Sequence, residues 1–177
     1  HSLSEAESHG LVHRDIKPAN IFLCRYGEEF DFVKVLDFGI VKASQDAPAA
    51  AGGEALMGEN VVQGTPAFMA PEQVLSSVVD GRTDIYATGC VAYWLLTGQT
   101  VFNAPTPIGH LMHHTQTPPP APSSRTELPI PPALDELVLA CLAKAPADRP
   151  QSARELSRRL AQVEGADRWG EERAKAW

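Results

Sequence analysis

The sequence His-Arg-Asp-Ile-Lys-Pro-Ala-Asn, residues 13–20, places a carboxylate, a lysine and an amide close together in the chain. Pro18 has no backbone N–H to donate, so a regular helix cannot run through this stretch. We therefore predict a loop that aims its polar side chains. A second motif, Asp-Phe-Gly at residues 37–39, follows the largely apolar run 32–36, and that run predicts a buried strand.

Taken together, the two motifs resemble the catalytic loop and the metal-binding motif of protein kinases. The resemblance implies that Asp15 orients the attacking hydroxyl and accepts its proton, while Lys17 lies beside the transferred phosphoryl group. It also implies that Asn20 and Asp37 hold Mg2+, with Mn2+ as an alternative, because magnesium requires hard oxygen ligands. The alternative interpretation is a polar loop in which Asp15 and Asn20 cap the backbone and Asp37 begins a turn.

The same resemblance assigns residues to the nucleotide and to the interior. Lys17 and the two residues assigned to the metal would also contact ATP. Phe22, on a predicted strand, matches the floor under the adenine ring, although a Phe on a strand is equally well interpreted as a core residue. His13 and Phe38 match apolar-spine positions, which implies a structural role for each.

Three later features extend the resemblance. Residues 64–66, Gly-Thr-Pro, resemble the substrate-docking end of the activation segment, with the Thr65 hydroxyl near the catalytic residues. Glu72, in Ala-Pro-Glu, resembles the carboxylate that pairs with an arginine before the last helix, here Arg149. Asp84 matches the helix carboxylate that fixes the catalytic-loop backbone, the alternative being an exposed acid favoured by the helix dipole. These last three residues would be structural.

The sequence departs from the family pattern in the activation segment. Related bacterial kinases carry a phosphorylatable Thr or Ser shortly before residue 64, yet Ser44 has the only hydroxyl between residues 39 and 64. Arg14, which receives that phosphate in the family, would then lack its partner. We hypothesise that Glu59 or Glu54 substitutes in part as a constitutive anion, since arginine pairs well with carboxylates. The alternative is that both are solvated acids.

Apolar spacing and caps predict several helices around one buried helix. That helix is predicted over residues 84–96, capped by Asp80 or Thr83, because its apolar residues run nearly all round it. The fold class is α+β and mainly α, a kinase-like C-terminal lobe with a short β-hairpin at the catalytic loop. The remaining predictions are helices at 3–9, 108–114, 134–142 and 152–163, strands at 21–24 and 32–36 with a turn at 25–31, a mobile stretch at 44–58 and a proline-rich connection at 117–132.

Composition argues against several other classes of function. The net charge is -7 and Lys and Arg are not clustered, which disfavours nucleic acid as a partner. No apolar run approaches the ~20 residues of a membrane-spanning helix, so we expect a cytoplasmic chain whose parent protein could be anchored elsewhere. The three widely spaced cysteines indicate reduced core thiols. His110, His113 and His114 share a helical face, but no Cys, Asp or Glu at matching spacing supports a metal site.

The resemblance covers residues 1–164, interpreted as the C-terminal lobe of a bacterial eukaryotic-like serine/threonine protein kinase. Residues 165–177 are interpreted as the start of a post-kinase segment. The sequence contains neither the Gly-rich loop nor the lysine strand of an N-terminal lobe, so we expect a fragment, truncated at both ends and inactive alone. The full enzyme would transfer the ATP γ-phosphate to Ser or Thr hydroxyls of protein substrates, with the missing N-lobe as a partner.

Two alternatives stay open at this point. The chain could be a non-catalytic kinase-like lobe that acts as a protein-binding module. An aminoglycoside-type small-molecule kinase shares a catalytic-loop Asp and Asn, but it does not explain residues 64–66, residues 70–72 or Arg149.

Overall fold

The computed structural model of the chain describes residues 2–37, 65–75, 77–166 and 170–176. Within these ranges the fold is mainly helical with one two-stranded antiparallel sheet, which confirms the predicted α+β class. The helices are α1 Ser2–Ser8, α2 Pro71–Val74, α3 Gly81–Thr97, α4 Pro107–Gln116, α5 Pro132–Cys141, α6 Ala153–Ala161 and α7 Glu171–Ala176, and the strands are β1 Ile21–Tyr26 and β2 Glu29–Val35. Short 3-10 turns occupy Pro18–Asn20, Pro66–Phe68, Pro122–Arg125 and Pro146–Asp148.

Helix α3 is the buried helix that the sequence predicts. Its N-cap is Asp80, whose side chain accepts the Arg82 N–H, and it ends at Gly98, which adopts a left-handed φ of 68°. Thr83, the other predicted cap, lies inside the helix and is buried. The last turn differs from the prediction, since Trp94 and Leu95 are exposed there. Most of the rest of the helix is buried, and Asp84 projects from this buried part.

The core forms where α3 packs against α5 and its neighbours. One cluster joins α3 to the segment before α4 and to α5, through Tyr86, Cys90, Tyr93, Val101, Phe102, Val138 and Leu142. A second cluster joins Ile85 of α3 to α5 and α6. The approach is close enough that a Cβ added at Gly89 would lie 2.7 Å from the Cβ of Cys141. Glycine at this position thus sets the distance between α3 and α5.

The hairpin differs from its prediction in length and in burial. The strands pair through Ile21 opposite Val35 and turn at residues 27–28, whereas the predicted turn spanned 25–31. Backbone pairing continues through polar positions that an apolar pattern leaves out. The prediction of a buried second strand is wrong, because Val33 on β2 is 48% exposed. Phe22 on β1 is likewise 49% exposed. The base of the hairpin packs on Ile16 of the loop and on Ala87 and Val91 of α3, through Ile21 and Val35. Near the turn, the Phe30 ring lies against Lys175 of α7.

The other predicted helices are present with shifted bounds. Thr106 caps α4 by accepting the Gly109 N–H, which starts the helix before the predicted residue. Ser152 caps α6 as expected, by accepting the Glu155 N–H at 3.0 Å. The Glu155 carboxylate, however, accepts the N–H of Gln151 and not that of Ser152, so only half of the expected capping box forms.

Several predictions lie outside the described residues, among them the mobile stretch 44–58, Phe38, Glu54 and Glu59. The three cysteines are free thiols as predicted. Cys90 and Cys141 are buried, but the predicted core position is wrong for Cys24, which is partly exposed on β1. Burial raises the pKa of the Cys141 thiol to about 12, so this thiol stays protonated at neutral pH. In the described part of the chain, no helix combines the length and apolarity needed to cross a membrane.

The close contact of α3 and α5 predicts a large effect of one methyl group. Gly89→Ala should lower the free energy of unfolding by about 1–3 kcal/mol, because the new Cβ overlaps that of Cys141. Urea denaturation measures this change. Gly81→Ala on the same helix is the control: its Cβ meets only the flexible end of Glu7 at 3.4 Å, and stability should be unchanged or higher. Equal stability of Gly89→Ala and the wild type would contradict the packing described here.

Candidate functional site

The loop at residues 11–20 is attached to helix α3 by one carboxylate. Asp84 is buried, and it accepts the His13 N–H at 2.7 Å and the Arg14 N–H at 2.8 Å. Burial raises the pKa of Asp84, and the two hydrogen bonds oppose that rise. Arg14 has a left-handed φ of 68°, which is uncommon for a residue with a side chain. The bonds to Asp84 therefore hold the loop in a conformation that it would otherwise leave.

His13 links this loop to the end of strand β2. Its ring is fully buried, and Nε2 lies 2.8 Å from the carbonyl oxygen of Leu36. Because a carbonyl only accepts, Nε2 carries the proton and Nδ1 is free to accept the Asp15 N–H at 3.3 Å. His13 thus has the structural position that the sequence suggests, between the loop and residue 37.

The three polar residues of the loop are in mutual contact. Lys17 Nζ lies 2.8 Å from Asp15 Oδ2. The 3-10 turn Pro18–Asn20 brings Asn20 back, so that its Nδ2 donates to the Asp15 carbonyl at 2.9 Å and reaches Oδ2 at 3.3 Å. Asn20 therefore does bind backbone, as the alternative interpretation has it, but it contacts the carboxylate as well. The side chains of Asp15 and Lys17 remain 33% and 22% exposed, which leaves them open to a substrate.

Asn20 and Asp37 lie on adjacent chains at the base of the hairpin. The Leu36 N–H donates to the Asn20 carbonyl at 2.9 Å, which continues the pairing of Ile21 with Val35. Asp37 follows immediately with a left-handed φ of 57° and is exposed. Since the amide nitrogen of Asn20 faces Asp15, its Oδ1 is the end available to a cation.

This donor set fits magnesium. An amide oxygen and a carboxylate are hard ligands, and Mg2+ is usually held by few protein groups together with waters and substrate phosphates. No group of three or more His, Cys, Asp and Glu side chains suited to a metal occurs within the ranges that the structure describes.

Thr65 shares a cleft with Asp15. The cleft is also lined by Arg14, Ile16, Phe68, Met69 and Gln73. A hydroxyl-bearing segment that enters this cleft would lie close to the Asp15 carboxylate. The structure thus brings together the residue assigned to substrate docking and the residue assigned to catalysis.

A buried ion pair fixes the segment that follows Thr65. Arg149 Nη1 lies 2.7 Å from Glu72 Oε1 and Nη2 lies 2.8 Å from Oε2, while Thr83 also donates to Oε1 at 2.7 Å. Burial raises the pKa of Glu72, but the hydrogen bonds from Arg149 and Thr83 outweigh it and the net pKa is lowered. Breaking such a pair from one side costs about 3–5 kcal/mol. The pair therefore ties α2 to α3 and to the segment before α6.

The structure does not join Phe22 to this constellation. Phe22 is half-exposed on β1, at the position opposite Lys34. An exposed aromatic face at that place is compatible with stacking on a base, and it is not part of the helical core. Phe38 lies outside the described residues.

Sequence reasoning missed Gln73 and considered His114 only as a possible metal ligand. Gln73 bonds to both the loop and the start of α2; its one local signal is its place three residues after Ala70, where a side chain often reaches back to the helix start. His114 is fully buried and its Nε2 donates to the Ala67 carbonyl at 3.1 Å, while Nδ1 accepts from the Tyr86 hydroxyl at 2.8 Å. No local sequence pattern predicts these contacts of His114, because they depend on how α4 packs.

Comparisons with known proteins agree with this geometry. The protein kinase domain family matches residues 2–160. Serine/threonine-protein kinase Pkn3 of Myxococcus xanthus is 42% identical over 92% of this chain and 29% of its own length. PknB of Mycolicibacterium smegmatis is 38% identical over 92% of this chain and 24% of its own length. The chain thus spans less than a third of these relatives.

Solved structures give the same match. Crystal structures of the Mycobacterium tuberculosis PknI kinase domain, as a single and a double mutant, superpose with a TM-score of 0.60 at 28% identity. The alignment covers 91% of this chain and 49% of the PknI chain. The arrangement of helices and hairpin described above is therefore that of part of a larger known domain.

The buried His114 predicts a specific loss of stability in mild acid. Burial, followed by the charge of Lys144, lowers the pKa of His114 to about 4 from 6.5. The unfolded chain takes up this proton below pH 6.5 and the folded chain does not until about pH 4. The free energy of unfolding therefore decreases as the pH falls, by about 2 kcal/mol between pH 7 and pH 5, because the folded state keeps His114 neutral.

Urea denaturation of the wild type and of His114→Gln at pH 7 and pH 5 measures this loss. The variant should lack that part of the pH dependence, whatever its own stability. His9→Gln, which changes an exposed histidine, is the control and should behave as the wild type. The lowered pKa of Glu72 acts below about pH 4.5 and does not interfere. A His114→Gln variant with the same pH dependence as the wild type would show the assignment to be wrong.

Proposed function

The chain belongs to the protein kinase family, and from this premise we propose that it carries the catalytic and substrate-docking residues of a serine/threonine protein kinase. The proposed reaction transfers the γ-phosphate of ATP to Ser or Thr hydroxyls of proteins. The observation that carries the proposal is the position of the Asp15 carboxylate, which contacts Lys17 and Asn20 and lines the cleft that contains Thr65.

Asp15 would orient the attacking hydroxyl and accept its proton. Phosphoryl transfer passes through a loose transition state, so the protein contributes mainly positioning and charge. The Asp84 and His13 bonds supply the positioning, because they fix the backbone on both sides of Arg14. Lys17 would place its ammonium beside the transferred group while still paired with Asp15.

Asn20 and Asp37 would hold Mg2+, and Mn2+ could take its place at the same oxygen ligands. The bound ion would neutralise charge that develops on the phosphates. Asn20 is kept in place by its bonds to Asp15, and Asp37 by the pairing of Leu36 with Asn20. Phe22 would contribute an apolar surface to the adenine ring.

Thr65 would dock the substrate. The Glu72–Arg149 pair would hold the end of the docking segment of this chain in place. The sequence has no Gly-rich phosphate-covering motif. We therefore expect this chain to transfer phosphate only together with residues that supply such a motif. Residues 1–164 would form the lobe that binds substrate protein, and residues 165–177 a following segment.

Radiolabelled ATP and a generic protein substrate with Mg2+ test the proposal. With the upstream coding residues restored, the protein should transfer labelled phosphate to the substrate. Asp15→Asn should lower kcat by about 10²- to 10⁴-fold, which is the usual contribution of a general base to the rate. Glu136→Gln, which changes an exposed carboxylate on α5, is the control and should retain activity. Equal activity of Asp15→Asn and the wild type would contradict the role proposed for Asp15. An inactive protein with restored upstream residues would contradict the proposed reaction and favour a protein-binding module.

A further inference from the structure

Gln73 makes two hydrogen bonds that the proposed mechanism leaves unexplained. Its Oε1 accepts the Ala70 N–H at 3.1 Å, and its Nε2 donates to the Arg14 carbonyl at 2.8 Å. A backbone N–H only donates and a carbonyl only accepts, so the two partners together fix the orientation of the amide. Gln73 thereby joins α2 to a loop that lies 59 residues away in the sequence.

The Arg14 carbonyl belongs to the same planar peptide as the Asp15 N–H. That N–H donates to His13 Nδ1 at 3.3 Å, and the carbonyl accepts from Gln73, so the peptide plane is held at both ends. Arg14 itself has a left-handed φ, which other contacts must maintain. The direction in which the Asp15 side chain leaves the backbone therefore depends on the bond from Gln73.

The other bond of Gln73 connects this peptide to the substrate-docking segment. Ala70 is fully buried, so its N–H has no access to solvent and needs a protein acceptor. Glu72, the neighbour of Gln73, is fixed by Arg149 and cannot shift independently. Gln73 also lines the cleft that Thr65 and Asp15 share. A displacement of residues 65–70 would thus pull on the peptide that precedes Asp15.

We propose that Gln73 is a positioning residue that couples the end of the substrate-docking segment to the catalytic loop and so sets the orientation of Asp15. The inference rests on the proposed kinase function and deepens it. Gln73 does not touch the reacting atoms; it acts through the Arg14 carbonyl.

Two substitutions separate the bonds of Gln73. Gln73→Glu keeps an acceptor for Ala70 but loses the donor for Arg14, and Gln73→Met has a similar size and neither group. In the active enzyme, both should lower kcat by about 10- to 100-fold, since a small misplacement of a catalytic group has effects of this size. The KM for ATP should stay within about twofold, because ground-state nucleotide binding is not changed. Gln99→Glu, at an exposed loop position, is the control for added charge.

Thermal melting distinguishes positioning from a general structural role. Gln73→Glu should melt within a few degrees of the wild type while its kcat falls, whereas a purely structural residue would change melting and leave the kcat of the folded fraction intact. A kcat of Gln73→Glu within about twofold of the wild type would overturn the inference. The same conclusion would follow if Gln99→Glu lost as much activity.

A second readout does not depend on activity. The amide nitrogen resonance of Asp15 should shift in Gln73→Met relative to the wild type, because the hydrogen bond to the same peptide's carbonyl is removed. Amides of α3 beyond Asp84 should not shift. If the wild type transfers no phosphate, the kinase proposal fails, and the Asp15 resonance still decides the coupling: an unchanged resonance would refute it.

Discussion

The Asp84 carboxylate is the constraint on which the functional end of this chain depends. It projects from a buried helix and accepts two backbone N–H groups of the loop, those of His13 and Arg14. Leaving a buried donor without a partner costs about 1–3 kcal/mol. Detaching the loop from Asp84 would leave two such donors unpaired, so the attached conformation is strongly favoured. The loop is consequently anchored to the core although Asp15 and Lys17 are partly exposed.

The same constraint reaches the base of the hairpin, where Asn20 and Asp37 lie, through His13. The ring bonds to the Leu36 carbonyl, and Leu36 bonds to Asn20, so the three chain segments that carry Asp15, Asn20 and Asp37 share one hydrogen-bonded frame. Catalytic groups need a fixed geometry more than they need strong interactions of their own, because misplacement by about 1 Å can cost 10²-fold in rate. A frame built from backbone bonds and one buried carboxylate meets that need.

A second frame holds the segment that follows Thr65. The Glu72–Arg149 pair is buried and has additional bonds from Thr83 and to backbone carbonyls, so that both charges are fully hydrogen-bonded. His114 adds a contact from α4 to the Ala67 carbonyl. The cleft at Thr65 thus lies between two separately anchored regions, and Gln73 is a direct bond between them.

Much of this fold follows from local sequence. The long apolar helix and the helices α4 to α6 follow from periodicity and capping residues, although the sequence left the cap of the long helix open between Asp80 and Thr83. The order of the polar motifs indicates the family. The extent of the hairpin does not, because main-chain pairing continues through polar residues. The left-handed φ of Arg14 also escapes local rules, since arginine seldom adopts it and the bonds that impose it come from Asp84 and Gln73.

Exchange of the His13 and Arg14 backbone amide hydrogens, followed by NMR at neutral pH, tests the central role of Asp84 most directly. Both amides should exchange as slowly as amides within α3, because they are bonded to a buried carboxylate of that helix. The protection should disappear in Asp84→Ala while the amides of α5 remain protected. Exchange of the His13 and Arg14 amides as fast as that of residues 27–28 in the hairpin turn would contradict the account.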